Sequence, residues 1–208
     1  MCFILTQPKN SLKARMINTT WAPLCDEYVF VTGNETIPEL PCLKVPVIES
    51  RKTLMAKTAF MIRHLHKEYG HKYDFFLKAD DDTYFLMDNL REFMQELNPE
   101  KKLIAGRRFK TYVEQGYLSG GAGYLLSQAG LHAIAEILEN EEKPCHKNTV
   151  AEDVGLGLCA ERAGVEIVDS IDRNHTERFH PLSVNGMLKL DPSDGHWIHS
   201  YNYYPMKY

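Results

Sequence analysis

Three consecutive aspartates, Asp80, Asp81 and Asp82, are the residues whose types and spacing most clearly indicate chemistry. They follow a mostly apolar run over residues 73–77, as expected at the carboxyl end of a buried parallel strand, where α/β proteins bind ligands. Adjacent carboxylates repel one another unless a cation lies among them, and hard divalent ions such as Mg²⁺ and Mn²⁺ take oxygen ligands. If the strand continued, Asp80 and Asp82 would point to one side, and Asp81 would point away towards a neighbouring basic group. The alternative is a solvated acidic turn, because a bare D-x-D pattern is common by chance.

A second acidic pair, Glu152 and Asp153, precedes an apolar helical segment. Thr149 and Glu152 match the spacing of a capping box, which gives Glu152 a structural explanation. Asp153 then lies in the first helical turn, where the helix dipole favours an ionised carboxylate. If it faces a crevice, that carboxylate can accept a proton from a substrate hydroxyl. The alternative is a surface aspartate that only complements the dipole.

Three further groups of residues are candidates for ligand binding. The run of small residues at 120–123 (GGAG) lacks the G-x-G-x-x-G spacing of dinucleotide sites, so it predicts either a close approach of ligand to backbone or a bulged strand. Aromatic residues around Trp197 predict stacking on a sugar ring or, alternatively, core packing. Cations near predicted element ends are candidates for binding a diphosphate. These cations are Arg51, Lys57, Lys78, Arg107 and Arg108.

Strand-like and helix-like segments alternate along the chain. This pattern predicts an α/β fold with a mostly parallel central sheet and helices on both faces. Strands are predicted at residues 2–6, 28–31, 43–48, 73–77, 103–105 and 165–168, and Pro46 assigns the third to a sheet edge. Apolar residues at helical spacing predict a long helix over residues 51–69 that ends at Gly70. Shorter helices are predicted before Trp21, around residues 86–97 and 131–138, and from near Thr149.

Composition excludes several classes of protein. The net charge is −4, whereas nucleic-acid-binding domains usually carry an excess of Lys and Arg, so we expect no nucleic-acid partner. None of the five cysteines forms a C-x-x-C pair, which argues against a zinc ribbon. No segment reaches the roughly 18 apolar residues of a membrane helix, and the N-terminus reads as a strand rather than a signal peptide, which suggests a lost upstream segment. Spaced cysteines and sequons at Asn18, Asn34 and Asn174 favour an oxidising secretory compartment, the alternative being a cytosolic protein with buried thiols.

Several linked motifs resemble those of one enzyme family, in the same order and over nearly the whole chain. They are residues 76–84 (FLKADDDTY), 106–110 (GRRFK), 115–117 (QGY), 119–124 (SGGAGY) and 201–205 (YNYYP). They are similar to the motifs of the core 1 β1,3-galactosyltransferases (T-synthases) of glycosyltransferase family 31. The resemblance implies a single glycosyltransferase catalytic domain of the GT-A type over residues 1–208, truncated relative to the family.

The resemblance also implies an activity and a set of site residues. The activity is inverting transfer of galactose from UDP-galactose to N-acetylgalactosamine (GalNAc) on Ser or Thr of a glycoprotein. The residues carried over by motif are Asp80 and Asp82 for Mn²⁺, Leu5, Arg51, Lys57 and Asp80 around UDP, Asp153 as the base, and Tyr117 and Trp197 at the acceptor sugar.

Further expectations follow from the family. The location is the Golgi membrane, with a lumenal catalytic domain. The disulfides are Cys2–Cys25 and Cys145–Cys159, with Cys42 unpaired, and a homodimer is a candidate assembly. The resemblance predicts a membrane anchor and stem before this domain and a metal-binding histidine beyond the Asn-Tyr-Tyr-Pro motif, and residues 1–208 include none of these segments. His180 or His199 are the candidates to replace that histidine. Two alternatives stay open: another family 31 activity, such as N-acetylglucosamine transfer, or a non-catalytic binding or folding partner of the same fold.

Overall fold

The computed structural model describes residues 1–140, 144–146, 149–191 and 193–205. Its strands are β1 Cys2–Leu5, β2 Tyr28–Thr32, β3 Cys42–Lys44, β4 Phe75–Asp80, β5 Leu103–Gly106, β6 Arg108–Phe109, β7 Tyr117–Leu118, β8 Tyr124–Ser127 and β9 Glu166–Val168. Its α-helices are α1 Ser11–Thr19, α2 Leu54–Tyr69, α3 Met87–Gln95, α4 Gln128–Leu138, α5 Glu152–Arg162, α6 Val184–Leu188 and α7 Trp197–Tyr201. Short 3₁₀ turns at Pro8–Asn10 and Arg51–Thr53 lead into α1 and α2. Within the described ranges, no helix has the length and apolar character needed to cross a bilayer.

The main sheet has the strand order β3-β2-β1-β4-β8-β5-β9. β8 runs antiparallel to both of its neighbours, and the other pairs in this sheet are parallel. The predictions of a mostly parallel sheet and of an edge position for the third strand are therefore confirmed. That strand ends at Lys44 instead of continuing to residue 48, because Pro46 has no N–H to donate to a ladder. A separate antiparallel pair, β6 with β7, lies outside the main sheet.

Helices cover both faces of the sheet, as predicted. Phe3 and Leu5 of β1 pack in the core formed with α2, α4 and α5, whereas Cys2 and Ile4 pack in the core formed with α1 and α3. This alternation follows from the two-residue period of a strand. On β4, the same period places every second side chain, including Lys78, on the face that carries α5.

Two disulfides fasten the ends of core elements. Cys2 is bonded to Cys25, which ties β1 to the segment before β2, and Cys145 is bonded to Cys159, which ties the segment before α5 to that helix. Cys42 is free and half-buried. The pairing expected from the family resemblance is confirmed.

Candidate functional site

The aspartate triplet lies at the carboxyl end of β4, where Leu5 at the end of β1 is the register partner of Asp80. The turn after β4 is closed by Thr83, whose N–H donates to the Asp80 carbonyl at 3.1 Å and whose hydroxyl accepts from the Asp80 N–H at 3.2 Å. The indole of the buried Trp21 donates to the Thr83 carbonyl at 3.1 Å. The acidic turn is thus anchored to the core, as a ligand-binding strand end requires.

Asp81 turns inwards and is held by neutral donors. It accepts from the Thr6 hydroxyl and the Asn10 amide, both at 2.8 Å. Burial raises the pKa of Asp81, and these two hydrogen bonds oppose the rise. The expectation that Asp81 would meet a basic group is wrong. The chain turns after Asp80, so of the two aspartates that follow it, Asp82 rather than Asp81 pairs with a cation, Lys13, at 3.0 Å.

Asp80 and Asp82 are the accessible carboxylates of the triplet, with side chains 34% and 62% exposed. Asp80 uses one oxygen to accept from Lys78 at 2.7 Å. Two accessible carboxylates at a strand end supply the hard oxygen ligands that Mn²⁺ or Mg²⁺ prefers, so the residues present fit such an ion.

A third protein ligand is not evident near the triplet in the part of the chain that the structure describes. There, the three potential ligands whose ligand atoms lie within 4.8 Å of one another are Cys145, His146 and Cys159. Their two sulfurs are bonded to each other and offer no thiolate. Neither His180 nor His199 belongs to such a set with the aspartates.

Lys57, a predicted donor-side cation, is buried at the same edge of the sheet. Its ammonium donates to the Thr6 carbonyl at 2.6 Å and to Glu49 at 2.8 Å. Burial lowers the pKa of Lys57, and the Glu49 carboxylate opposes that change. Arg51 lies exposed in the 3₁₀ turn before α2. The structure therefore places Leu5 and Lys57 beside the triplet and leaves Arg51 at the surface.

Lys78 is a buried cation directly behind the triplet, with 1% of its side chain exposed. Besides Asp80, its ammonium donates to the Gly120 carbonyl at 2.9 Å and lies 3.9 Å from a Glu152 oxygen. Burial alone would lower the pKa of Lys78, but the charges of Glu152 and Asp80 outweigh burial and raise it. Lys78 was one of five cations considered from the sequence, and nothing in its spacing distinguished it from the others.

Glu152 is not part of a capping box, so that interpretation is wrong. Ala151 is the N-cap of α5, and the Thr149 hydroxyl accepts from the Ala151 N–H at 3.2 Å instead. The Glu152 carboxylate accepts from the Thr58 hydroxyl at 3.0 Å and from the Tyr124 hydroxyl at 2.7 Å. Burial raises the pKa of Glu152. Sequence reasoning missed this role, because the partners of Glu152 come from a distant helix and strand.

Asp153 lies in the first turn of α5, as predicted, and is half-buried. One carboxylate oxygen is 3.5 Å from the Gly120 N–H, and the other accepts from the Val154 N–H at 2.9 Å. Burial raises the pKa of Tyr117 to about 12, and the charge of Asp153 contributes to that rise. Asp153 therefore faces the glycine-rich turn, and its charge lies close enough to Tyr117 to act on that hydroxyl.

Tyr117 and Trp197, the predicted acceptor residues, meet in one aromatic cluster. Both rings lie 5.7 Å from the ring of Phe109, and Tyr201 lies 6.0 Å from it. Trp197 is 44% exposed while its neighbour Ile198 is fully buried. The core-packing interpretation is confirmed for Ile198, whereas Trp197 presents a large ring to solvent and its stacking on a sugar stays a prediction.

Residues 120–123 form a tight turn between β7 and β8, so the bulged-strand alternative is wrong. The Gly123 N–H donates to the Gly120 carbonyl at 3.1 Å, and Gly123 has a φ of 74°, which glycine adopts without strain. The Thr83 hydroxyl donates to the Gly121 carbonyl at 3.1 Å. The glycine-rich turn thus lies directly against the acidic turn.

The two remaining cations are engaged in structural contacts. The buried Arg107 donates to the Asn202 side-chain oxygen at 2.7 Å, and Arg108 stacks on Tyr203 at 3.6 Å from the ring centre. These contacts fasten the GRRFK segment to the C-terminal aromatic motif.

Comparisons with known proteins agree on one family. The Fringe-like family model matches residues 10–201. Glycoprotein-N-acetylgalactosamine 3-beta-galactosyltransferase 1 of Xenopus laevis is 36% identical over 209 residues, which cover 99% of this chain and 57% of that protein. Chondroitin sulfate synthase 3 of Homo sapiens is 29% identical over 137 residues, covering 61% of this chain and 15% of that protein. This chain therefore spans less than two thirds of the length of these relatives.

Proposed function

This chain belongs to the Fringe-like family, and we propose on that basis that it is a glycosyltransferase that moves galactose from UDP-galactose to GalNAc on a glycoprotein. The similarity to the Xenopus laevis 3-beta-galactosyltransferase supports this acceptor and sugar, because it runs along 99% of this chain. The similarity to chondroitin sulfate synthase 3 covers 61% of this chain at lower identity, so it supports the alternative of another family activity less well.

One observation carries the proposal: Asp80, through Lys78, and Asp153, directly, are both linked to Gly120 of the glycine-rich turn. Lys78 joins Asp80 to the Gly120 carbonyl, and the Gly120 N–H faces Asp153 at 3.5 Å. An inverting displacement needs the leaving group on one side of the sugar carbon and a base on the other. We assign the donor diphosphate to Asp80 and the acceptor hydroxyl to Asp153, so that each of these two roles belongs to a different carboxylate.

Each side chain then has a defined task. Asp80 and Asp82 would hold Mn²⁺, which as a Lewis acid stabilises negative charge on the departing diphosphate. Lys57 and Leu5 line the donor side, and Arg51, exposed in the 3₁₀ turn before α2, stays a predicted UDP contact. Asp153 lies in the first turn of α5, where the helix dipole favours negative charge, and it accepts the proton of the acceptor hydroxyl.

On the acceptor side, the half-exposed Trp197 offers its ring face to the sugar, and Tyr117 fixes Phe109 beneath it. A lumenal Golgi location belongs to the same proposal. The two disulfides support it, because such bonds persist in oxidising compartments. A homodimer and the absence of a nucleic-acid partner stay predictions.

The test is UDP release from UDP-galactose with a GalNAc-peptide acceptor, with and without Mn²⁺. We expect metal-dependent turnover that needs the acceptor. Asp82→Asn should abolish metal-dependent UDP binding, whereas Asp153→Asn should retain UDP binding and lose transfer. Asp88→Asn is the control, since that carboxylate is 96% exposed on α3. Acceptor binding without turnover would instead identify a non-catalytic partner, and turnover only with UDP-N-acetylglucosamine would identify a different transferase.

A further inference from the structure

Lys78 contacts both the Asp80 carboxylate and the glycine-rich turn at residues 120–123, and these two contacts indicate a role beyond packing. We propose that Lys78 is a positioning residue that couples the donor carboxylate Asp80 to the glycine-rich turn facing Asp153, with Glu152 holding the ammonium in place. This inference rests on the proposed function, because Asp80 and Asp153 have donor and acceptor roles only there. The contacts of Lys78 with Asp80, Gly120 and Glu152 do not depend on that function.

On the donor side, Lys78 fixes the direction of the Asp80 carboxylate. The ammonium binds one Asp80 oxygen at 2.7 Å, while the carboxylate as a whole keeps 34% of its surface exposed. A carboxylate held through one oxygen presents the other in a fixed direction. Partners that orient a ligand in this way affect metal affinity strongly when they are removed.

On the acceptor side, the same ammonium holds the backbone of the turn. It binds the Gly120 carbonyl at 2.9 Å, and the N–H of Gly120 faces the Asp153 carboxylate. A shift of Gly120 would therefore change how the glycine-rich turn meets the proposed base, Asp153. One cation thus sets the distance between the two groups that must act on the same sugar carbon.

Glu152 makes this arrangement possible. A buried ammonium is costly unless it is paired and hydrogen-bonded. Glu152 lies 3.9 Å from Lys78, and its own carboxylate is fixed by Thr58 and Tyr124. The geometry explains why a glutamate directly precedes Asp153: it cannot be a cap, and it faces the buried lysine.

A neutral contact offers a competing explanation. The Thr83 hydroxyl also joins the acidic turn to the glycine-rich turn through the Gly121 carbonyl. If that bond alone set the geometry, removal of Lys78 would lower stability and leave ligand binding unchanged. The experiment must therefore separate folding from positioning.

Lys78→Met alone would leave Glu152 as an unpaired buried charge and is expected to unfold easily. The informative variant is the double substitution Lys78→Met with Glu152→Gln, which removes both charges and keeps both shapes. Glu152→Gln alone retains the contacts of Lys78 with Asp80 and Gly120. Lys72→Met is the matched control, because Lys72 forms a 2.7 Å ion pair with Glu27 on the exposed connection before β4.

Three measurements are made on each protein: UDP affinity in Mn²⁺ by calorimetry, kcat and the acceptor KM, and hydrogen exchange of residues 119–123 without metal. For the double variant we expect UDP affinity and kcat each to fall about 10- to 100-fold, with the acceptor KM unchanged because the aromatic cluster is intact. Hydrogen exchange in the turn should become faster. Lys72→Met should bind UDP as the unaltered protein does. Glu152→Gln removes the charge partner of Lys78 but keeps the contacts of Lys78 with Asp80 and Gly120, so it should weaken UDP binding less than the double variant does.

Two results would overturn the proposal, one by refuting the role of Lys78 alone and the other by refuting the proposed function. If the double variant folds and matches the unaltered protein in UDP affinity, kcat and exchange, Lys78 is only structural and the inference alone fails. If the unaltered protein shows no metal-dependent UDP binding, the proposed function fails and the inference falls with it.

Discussion

Two adjacent glycines, Gly120 and Gly121, are expected to respond oppositely to alanine. A Cβ on Gly120 would lie 2.8 Å from the Glu152 carboxylate, closer than atoms tolerate, whereas a Cβ on Gly121 would meet only the Pro181 carbonyl at 3.7 Å, an ordinary contact. Neither glycine has the left-handed backbone that would itself penalise a side chain. Glu152 cannot move freely, because Thr58 and Tyr124 both donate to it.

The magnitudes follow from these contacts. Forcing a methyl group into a packed site costs about 1–3 kcal/mol, so Gly120→Ala should lower the free energy of unfolding by that amount. Gly121→Ala should raise it by about 0.4–1 kcal/mol, because alanine restricts the unfolded chain. Urea unfolding of both variants measures the two changes. Gly120→Ala should also slow transfer while UDP binding persists, since Asp80 is not displaced.

An equal response of the two variants would refute this reasoning. It would mean that the Glu152 carboxylate does not lie against Gly120, and the buried contact network around Lys78 would lose its support.

Three further predictions concern other parts of the molecule. Replacing Cys145 and Cys159 together by serine should lower the free energy of unfolding by about 3 kcal/mol, because the disulfide closes a short loop whose entropy the unfolded chain would regain. Urea titrations measure this change, and an unchanged free energy would show that the bond does not form. Trp197→Ala should raise the acceptor KM about tenfold, worth about 1.4 kcal/mol, with kcat kept, and an unchanged KM would contradict stacking on the acceptor. Burial raises the pKa of Glu177 above 4.5, so its ionisation costs stability at neutral pH, and that cost disappears as the pH falls through the raised pKa. The stability of the unaltered protein relative to Glu177→Gln should therefore rise on acidification, and a constant difference in thermal unfolding would contradict it.

The local sequence pattern was sufficient to predict the strand and the helix that carry the acidic residues of the site. The apolar run before Asp80 predicted a buried strand ending at the acidic residues, and the structure confirms that β4 ends at Asp80. The position of Asp153 in the first turn of a helix was likewise predictable, because helix starts depend on nearby residues. The disulfide pairing came from resemblance to a family, since five cysteines alone leave many pairings open.

Contacts between distant segments could not be predicted from spacing. Glu152 matched a capping box with Thr149, but the chain places its carboxylate against Thr58 and Tyr124, 94 and 28 residues away along the sequence. Asp81 was expected to meet a cation, but strand β4 ended one residue earlier and turned its side chain towards Thr6. In both cases a local rule lost to tertiary packing.

The failures share a physical cause that also bears on function. A buried charge is tolerated only where the fold supplies partners, and those partners come from whichever elements the topology brings together. β4 is central in the sheet, so Lys78 can reach both the strand end that carries Asp80 and the turn before β8. The order of strands, rather than the motif around the aspartates, therefore decides which groups Lys78 can join.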